Sequence, residues 1–195
     1  MSSQVSSIPR REPNARQAET AERLLAAGAE ELREVGVEAL TIRTVALRAG
    51  VSAATAYTYL SSKNHLFAEL FLRHLTAEAA AATTDASYDD ATSRVQQVTR
   101  RMATSLATEP ALAAGATQAL LGTDPDVERL RLRIGAEFVE RFKEALGEKA
   151  DPVVLETLTL AFSGALLQAG MGLMTYTEMG ERLDAVVAVI LQGNQ

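Results

Sequence analysis

Residues 40–63 read LTIRTVALRAGVSAATAYTYLSSK, and the fold of the whole chain turns on them. Thr41 and Ser52 each carry a side-chain oxygen that can accept from the free amides of a helix's first turn, so each predicts a helix start, and Ser62 predicts a third. Between the first two, Ala49-Gly50-Val51 marks a turn: glycine takes a positive φ without a Cβ clash, and Val51 fills the space between the flanking helices. Small residues at Ala46, Ala49 and Ala56 let two short helices, expected over 42–49 and 53–59, approach closely, with Val45 and Leu60 supplying apolar contact. This is the spacing of a helix-turn-helix. The second helix projects Ala53, Ala54 and Thr55 from its first turn and Tyr57, Thr58 and Tyr59 from its second, a polar and aromatic set suited to a major groove.

Charge points the same way. The segment Ala39–Ala68 holds Arg43, Arg48 and Lys63 and no acidic residue, although Asp and Glu make up 25 of the 195 positions. A phosphate backbone requires that, because a carboxylate there would repel the polyanion. The chain as a whole carries a net charge of −6, so the basic balance is local. Arg10 and Arg11, in a flexible arm over residues 1–15, and Arg16 just beyond it form a basic stretch able to enter a minor groove, with a solvated tail as the other reading.

Outward from this segment, Ala, Leu, Glu and Arg dominate and strand-like alternation is scarce, which predicts an all-α fold of about nine helices. The others are expected over 16–35, 63–82, 90–107, 111–121, 125–146, 152–175 and 178–191, with Gly36, Gly122 and Gly147 closing helices and Asp124-Pro125 and Asp151-Pro152 opening them. The polar stretch Ala82–Asp90 is the one clear mid-chain loop. The division expected is a head over 16–62 that carries the helix-turn-helix and a helical body over 63–195.

Composition excludes several chemistries. The chain has no Cys and only two His, His65 and His74, which leaves no disulfide, no thiolate site and little for a zinc site, so no metal and no cofactor is expected. There is no Gly-rich phosphate loop, His-Glu metal motif or serine elbow, so no catalytic residue is assigned. Thr157–Thr177 runs 21 residues without a charge, long enough to cross a bilayer. Its glycines, threonines and Gln168, and the absence of a basic flank, favour a helix buried against protein and no membrane partner. The polar first residues lack a secretory core, and a cytoplasmic location is expected.

From Arg23 to about Leu75 the chain resembles the DNA-binding domain of the tetracycline-repressor (TetR) family. The resemblance rests on Leu40-Thr41-Ile42-Arg43, Val45-Ala46, Ala49-Gly50-Val51-Ser52, Thr55, Tyr57-Thr58-Tyr59-Leu60, Ser62-Lys63 and Leu66. Two positions depart from it: Ala54, where the family often has Gly, and Leu60, where it usually has Phe. The resemblance implies that Thr41 and Lys63 hold phosphates and that Tyr57 and Tyr59 add hydroxyl contacts to the backbone. It also implies that Arg43, Ser52, Thr55 and Thr58 reach base edges or phosphates, while Ala53 and Ala54 offer methyls to thymine.

A single short recognition helix reads few base pairs, so useful affinity needs two copies, a homodimer on palindromic double-stranded DNA. Gly164, Gln168 and Gly172 recur at i, i+4 and i+8 and would admit a partner helix, and Leu183, Val187 and Ile190 make the last helix apolar enough to join them. The resemblance implies the same, a four-helix bundle from the final two helices of each protomer. It further implies a small-molecule effector in the body. Candidate wall residues are Met102, Leu106, Gln118, Leu120, Leu121, Phe138, Phe142, Phe162, Leu166, Gln168, Met171, Met174 and Tyr176, which suit an apolar or amphipathic ligand. The reading is a ligand-responsive dimeric regulator, a repressor by preference. A DNA-binding protein without an effector, and a helical enzyme, stay as alternatives.

Overall fold

The computed structural model describes residues 15–81, 90–147 and 150–192. All regular structure among them is helical: α1 (Ala15–Ala39), α2 (Ile42–Arg48), α3 (Ala53–Tyr59), α4 (Lys63–Ala81), α5 (Ala91–Thr108), α6 (Pro110–Leu121), α7 (Pro125–Leu146), α8 (Pro152–Gly170) and α9 (Tyr176–Gln192). The arm carrying Arg10 and Arg11 and most of the expected loop over 82–90 lie outside the described residues.

The first three helices and the start of α4 form a head. Leu24 of α1, Leu40, Val45 and Ala46 of the α2 region, Ala56 of α3 and Leu66 of α4 are all buried and meet in its centre. Leu60 is buried as well, completing this small core in the place the family gives to Phe. Helix α4 then runs on into the body, where Phe67 and Phe71 pack against α6 and α7. Gly115 of α6 allows that approach: a Cβ there would sit 3.0 Å from the Phe67 ring. Deeper in the body Phe162 of α8 lies between two rings of α7, 5.0 Å from Phe138 and 5.7 Å from Phe142 between centroids. Helix α9 packs along α5 and beside α8.

Caps explain most of the boundaries. Asp90, Asp124 and Asp151 accept from first-turn amides of α5, α7 and α8, and Pro125 and Pro152 occupy positions whose missing N–H costs nothing. Gly36 breaks the first helix as expected, with φ 75° and ψ 178°, and a short helical stretch to Ala39 follows the kink. One expectation is corrected. The helix expected over 152–175 ends at Gly170, because Gly172 turns left-handed (φ 76°) and the Leu173 amide returns to the Gln168 carbonyl at 3.0 Å, a Schellman closure. A reciprocal cap then starts α9: the Thr175 amide donates to Glu178 at 2.7 Å and the Glu178 amide to the Thr175 hydroxyl at 3.1 Å.

The body is not closed on all sides. Helix α8 is apolar along its length, yet only 22% of its most apolar 18 residues is buried in the single chain. Leu160, Leu167 and Met171 stand out from α8, and Val186 and Val189 from α9.

Candidate nucleic-acid interface

The turn between α2 and α3 is held by three independent features. Gly50 has φ 65°, the Val51 amide donates to the Ala46 carbonyl at 3.0 Å, and Arg23 reaches from α1 to the Ala49 carbonyl. Both helices are too short to persist alone, so capping and this tie to α1 fix them. Thr41 caps α2 reciprocally with Thr44: its hydroxyl accepts the Thr44 amide at 3.1 Å, and the Thr44 hydroxyl oxygen accepts the Thr41 amide at 3.2 Å. Ser52 caps α3, accepting the Thr55 amide at 3.0 Å, with the two hydroxyls 2.8 Å apart.

On α3, Ala54, Tyr57 and Thr58 share one exposed face, at i, i+3 and i+4, opposite buried Ala56. Tyr57 is 48% exposed, whereas Tyr59 is half-buried against the head's core. The two tyrosines are therefore unlike: one is presented to solvent, the other is anchored. Thr58 donates to the Ala54 carbonyl at 3.1 Å, so its hydroxyl offers lone pairs outward and not its proton. Thr41, Arg43 and Ser52 are exposed, and Ala53 and Thr55 are half-buried.

The three cations of the acid-free segment have different positions in the structure. Arg48 lies against α1, 2.8 Å from Glu31, 3.7 Å from Glu30 and bonded to Glu34, whose carboxyl it holds below its usual range. It pins α2 to α1 and is not presented as a free charge. The segment lacks acids of its own, but the neighbouring helix supplies them. Lys63 donates to the Glu38 carbonyl at 3.2 Å and stands 5.8 Å from the Phe67 ring centre. Arg43 alone of the three makes no hydrogen bond or ion pair among the described residues. Arg43→Ala should therefore lower the slope of log K against log salt by about 0.9 for each phosphate that Arg43 neutralises. Arg48→Ala should leave that slope unchanged and lower the denaturation midpoint instead, and equal slopes for wild type and Arg43→Ala would remove its phosphate role.

Polar links between head and body include an ion pair from Arg33 of α1 to Glu109 at 3.3 Å and a contact at Ser62 that sequence reading missed. The Ser62 hydroxyl accepts the His65 amide at 3.0 Å, capping α4, and donates to the Asp124 carboxylate at the start of α7. That bond, followed by the Asp126 amide, holds the Asp124 carboxyl below its usual range. The link is thus complete at neutral pH and is lost only as pH falls through that depressed value. Next to it Arg131 of α7 donates to the last carbonyls of α6, Leu120 at 2.9 Å and Gly122 at 2.7 Å. Ser62 and Asp124 each carry a legible capping signal, but no sequence pattern says that two caps 62 residues apart would face each other.

The expected effector residues do not form one site. A cavity of about 320 Å³ between α6, α7 and α8 brings together Leu120, Leu121, Phe138 and Leu166 and adds Thr117, Arg131, Ile134 and Leu167. Met102 lies elsewhere, beside a cavity of about 230 Å³ between α4, α5 and α7 where Glu78 bridges Arg101 and Arg141. Leu106, Phe142 and Phe162 are buried in the core. Gln118 and Met171 are exposed, Tyr176 is half-buried, and Gln168 and Met174 border a groove of about 360 Å³ between α8 and α9.

The expected interface residues divide similarly. Leu183 and Val187 are 2% and 1% exposed, buried within their own chain, and Ile190 is half-buried against the core, so this stripe of α9 faces inward. Gly172 lies beyond α8 in its left-handed closure, exposed to solvent. Gly164, in contrast, has nothing within 4 Å of a built Cβ, and Gln168 is exposed one turn on. Close helix approach does occur, at Gly170, where a Cβ would meet Thr117 of α6 at 2.4 Å, but inside one chain.

A capped helix-turn-helix with an exposed polar and aromatic recognition face, carried on a helical body, defines a DNA-binding regulator. The sequence profile of the bacterial regulatory proteins, tetR family, matches residues 24–70. Proteins of Mycobacterium tuberculosis and Mycobacterium bovis named as uncharacterized HTH-type transcriptional regulators are 46% identical over 182 residues, 92% of this chain and 84% of theirs. The chain belongs to the TetR family of transcriptional regulators. Among solved structures, a TetR regulator from Rhodococcus sp. RHA1 superposes with a TM-score of 0.77 at 20% identity, covering 92% of this chain and all of that one (100%). Thermus thermophilus FadR, a TetR family repressor solved with lauroyl-CoA, superposes with a TM-score of 0.66 at 19% identity, covering 90% and 95%.

Proposed function

We propose that the protein is a homodimeric repressor that binds a palindromic operator through α3 and is released by a small apolar or amphipathic effector held between α6, α7 and α8. The head over 16–62 reads DNA, and the body over 63–195 carries the effector site and the dimer contact. Thr41, Arg43, Ser52, Ala53, Ala54, Thr55, Tyr57, Thr58 and Lys63 make up the DNA surface, with Tyr59 anchoring it.

The observation that carries this reading is the apolar cavity beside the joint of head and body. Its walls are mainly aliphatic and aromatic, its volume of about 320 Å³ is at the lower end of small-molecule sites, and Arg131 ties it to the turn that meets α4. The cavity at Arg101 and Arg141 is a weaker candidate, because Glu78 already bridges its two guanidinium groups. Uncovered apolar surface on α8 and α9 supports a dimer, since a patch of that kind marks an interaction site on a soluble protein. FadR of Thermus thermophilus was solved with lauroyl-CoA, an amphipathic ligand, on the same fold.

The test is to sequence genomic fragments retained by the purified protein at moderate salt. A common palindrome upstream of a few genes is expected, with footprints one DNA turn apart centre to centre. Fragments without a shared sequence would reduce the activity to electrostatic binding and overturn the repressor reading.

A further inference from the structure

Among the described residues, Arg131 is the only charged one lining the cavity between α6, α7 and α8. Its Nε and one Nη are committed to the Leu120 and Gly122 carbonyls, and its other Nη has no partner among the described residues. This guanidinium, at the edge of an apolar chamber, is met only by the partial negative charge of the α6 end and by no carboxylate within ion-pair distance among the described residues. Those carbonyls are the end of α6, and the turn they close carries Asp124, which bonds Ser62 just before the recognition head's exit helix. The cavity, the helix end and the head are thus connected through one side chain.

We propose that the effector is a monoanionic amphipath, a carboxylate on an apolar tail, whose head group takes Arg131 while its tail fills the space against Phe138, Ile134 and Leu166. This rests on the effector site proposed above and adds the ligand's charge and its route to the head. A carboxylate accepts a paired, charge-assisted bond that carbonyls cannot match, so Arg131 exchanges Leu120 and Gly122 for the ligand. The α6–α7 turn loses two of its ties, and the Asp124–Ser62 link that orients α4 is loosened. The ligand shifts the head because it binds better where Arg131 has left the helix end.

The experiment compares decanoate with decan-1-ol, equal in chain length and different in charge, by calorimetry on the intact protein. It is paired with hydrogen exchange of the amides at 62–66 and 120–126. Decanoate is expected to bind at least about tenfold more tightly, the scale of one hydrogen bond to a charged group. It should also speed exchange in both segments and weaken operator binding. Arg131→Gln should remove the preference while keeping decan-1-ol binding, and Arg131→Lys should restore part of it. Equal binding of acid and alcohol by the wild type overturns the proposal and leaves the effector site standing. Failure of both ligands to bind overturns the two together. Tight decanoate binding without faster exchange at 62–66 overturns the route through Asp124 and Ser62.

Discussion

Leu160→Glu together with Val189→Glu is expected to yield a monomer whose operator affinity is lower by about 10²–10⁴-fold, the range that separates one tethered site from two. Leu160 is 66% exposed and Val189 73%, so in the single chain neither substitution buries a charge or opens a cavity. Surface changes of this kind leave folding stability within about 0.5 kcal/mol. In a dimer built on α8 and α9, by contrast, each carboxylate would be buried in an apolar contact twice over, once per protomer, at several kcal/mol. Sedimentation equilibrium separates the two cases, and Val35→Glu on α1 is the control that should stay dimeric. An unchanged dimer that binds its operator normally would place the contact on another surface.

Phe162→Ala is expected to cost about 3–5 kcal/mol of folding stability, the scale for emptying a buried aromatic position. Phe162 is 1% exposed and stands edge-on to Phe142 and tilted against Phe138, so truncation leaves a void bounded by two rings that cannot both move into it. The urea midpoint should fall with an unchanged slope. Leu121→Ala, at a wall residue 62% exposed, should change stability by about 0.5 kcal/mol or less. A small effect at Phe162 would mean that the neighbouring cavity wall collapses inward, and ligand affinity should then fall with it.

These two experiments probe opposite faces of one helix, and they show what sequence can and cannot supply. Along α8, Leu158, Phe162 and Ala169 point inward, and Leu160, Leu167 and Met171 point outward. Both stripes are apolar, so the helix has no hydrophobic period from which to tell its core face from its free one. For that reason the sequence places Phe162 in a ligand wall and the structure buries it in the core, while on α9 Leu183 and Val187 suit a partner by pattern and are buried inside their own chain. In α3 the opposite holds. Its buried face is the single small residue Ala56, its exposed face is Ala54, Tyr57 and Thr58, and its bounds at 53 and 59 match the expectation because Ser52 caps one end and Leu60 turns inward at the other.

Local chemistry is therefore enough for every feature that depends on neighbours in the chain: the all-α class, the three closely spaced helix starts, the Gly50 turn and the exposed face of α3. Caps, turns and short apolar spacings act within a few residues, and their signals survive in one dimension. The tertiary structure alone decided the rest. Arg48 reads as a free cation in its own acid-free segment and is neutralised by Glu30, Glu31 and Glu34 of α1; Asp124 reads as a cap and is also the body's hold on Ser62; Arg131 carries no local signal and lines the cavity while closing α6. Each of these depends on which helices lie side by side, and that is set by the summed burial of apolar faces over the whole chain, a quantity no local stretch contains.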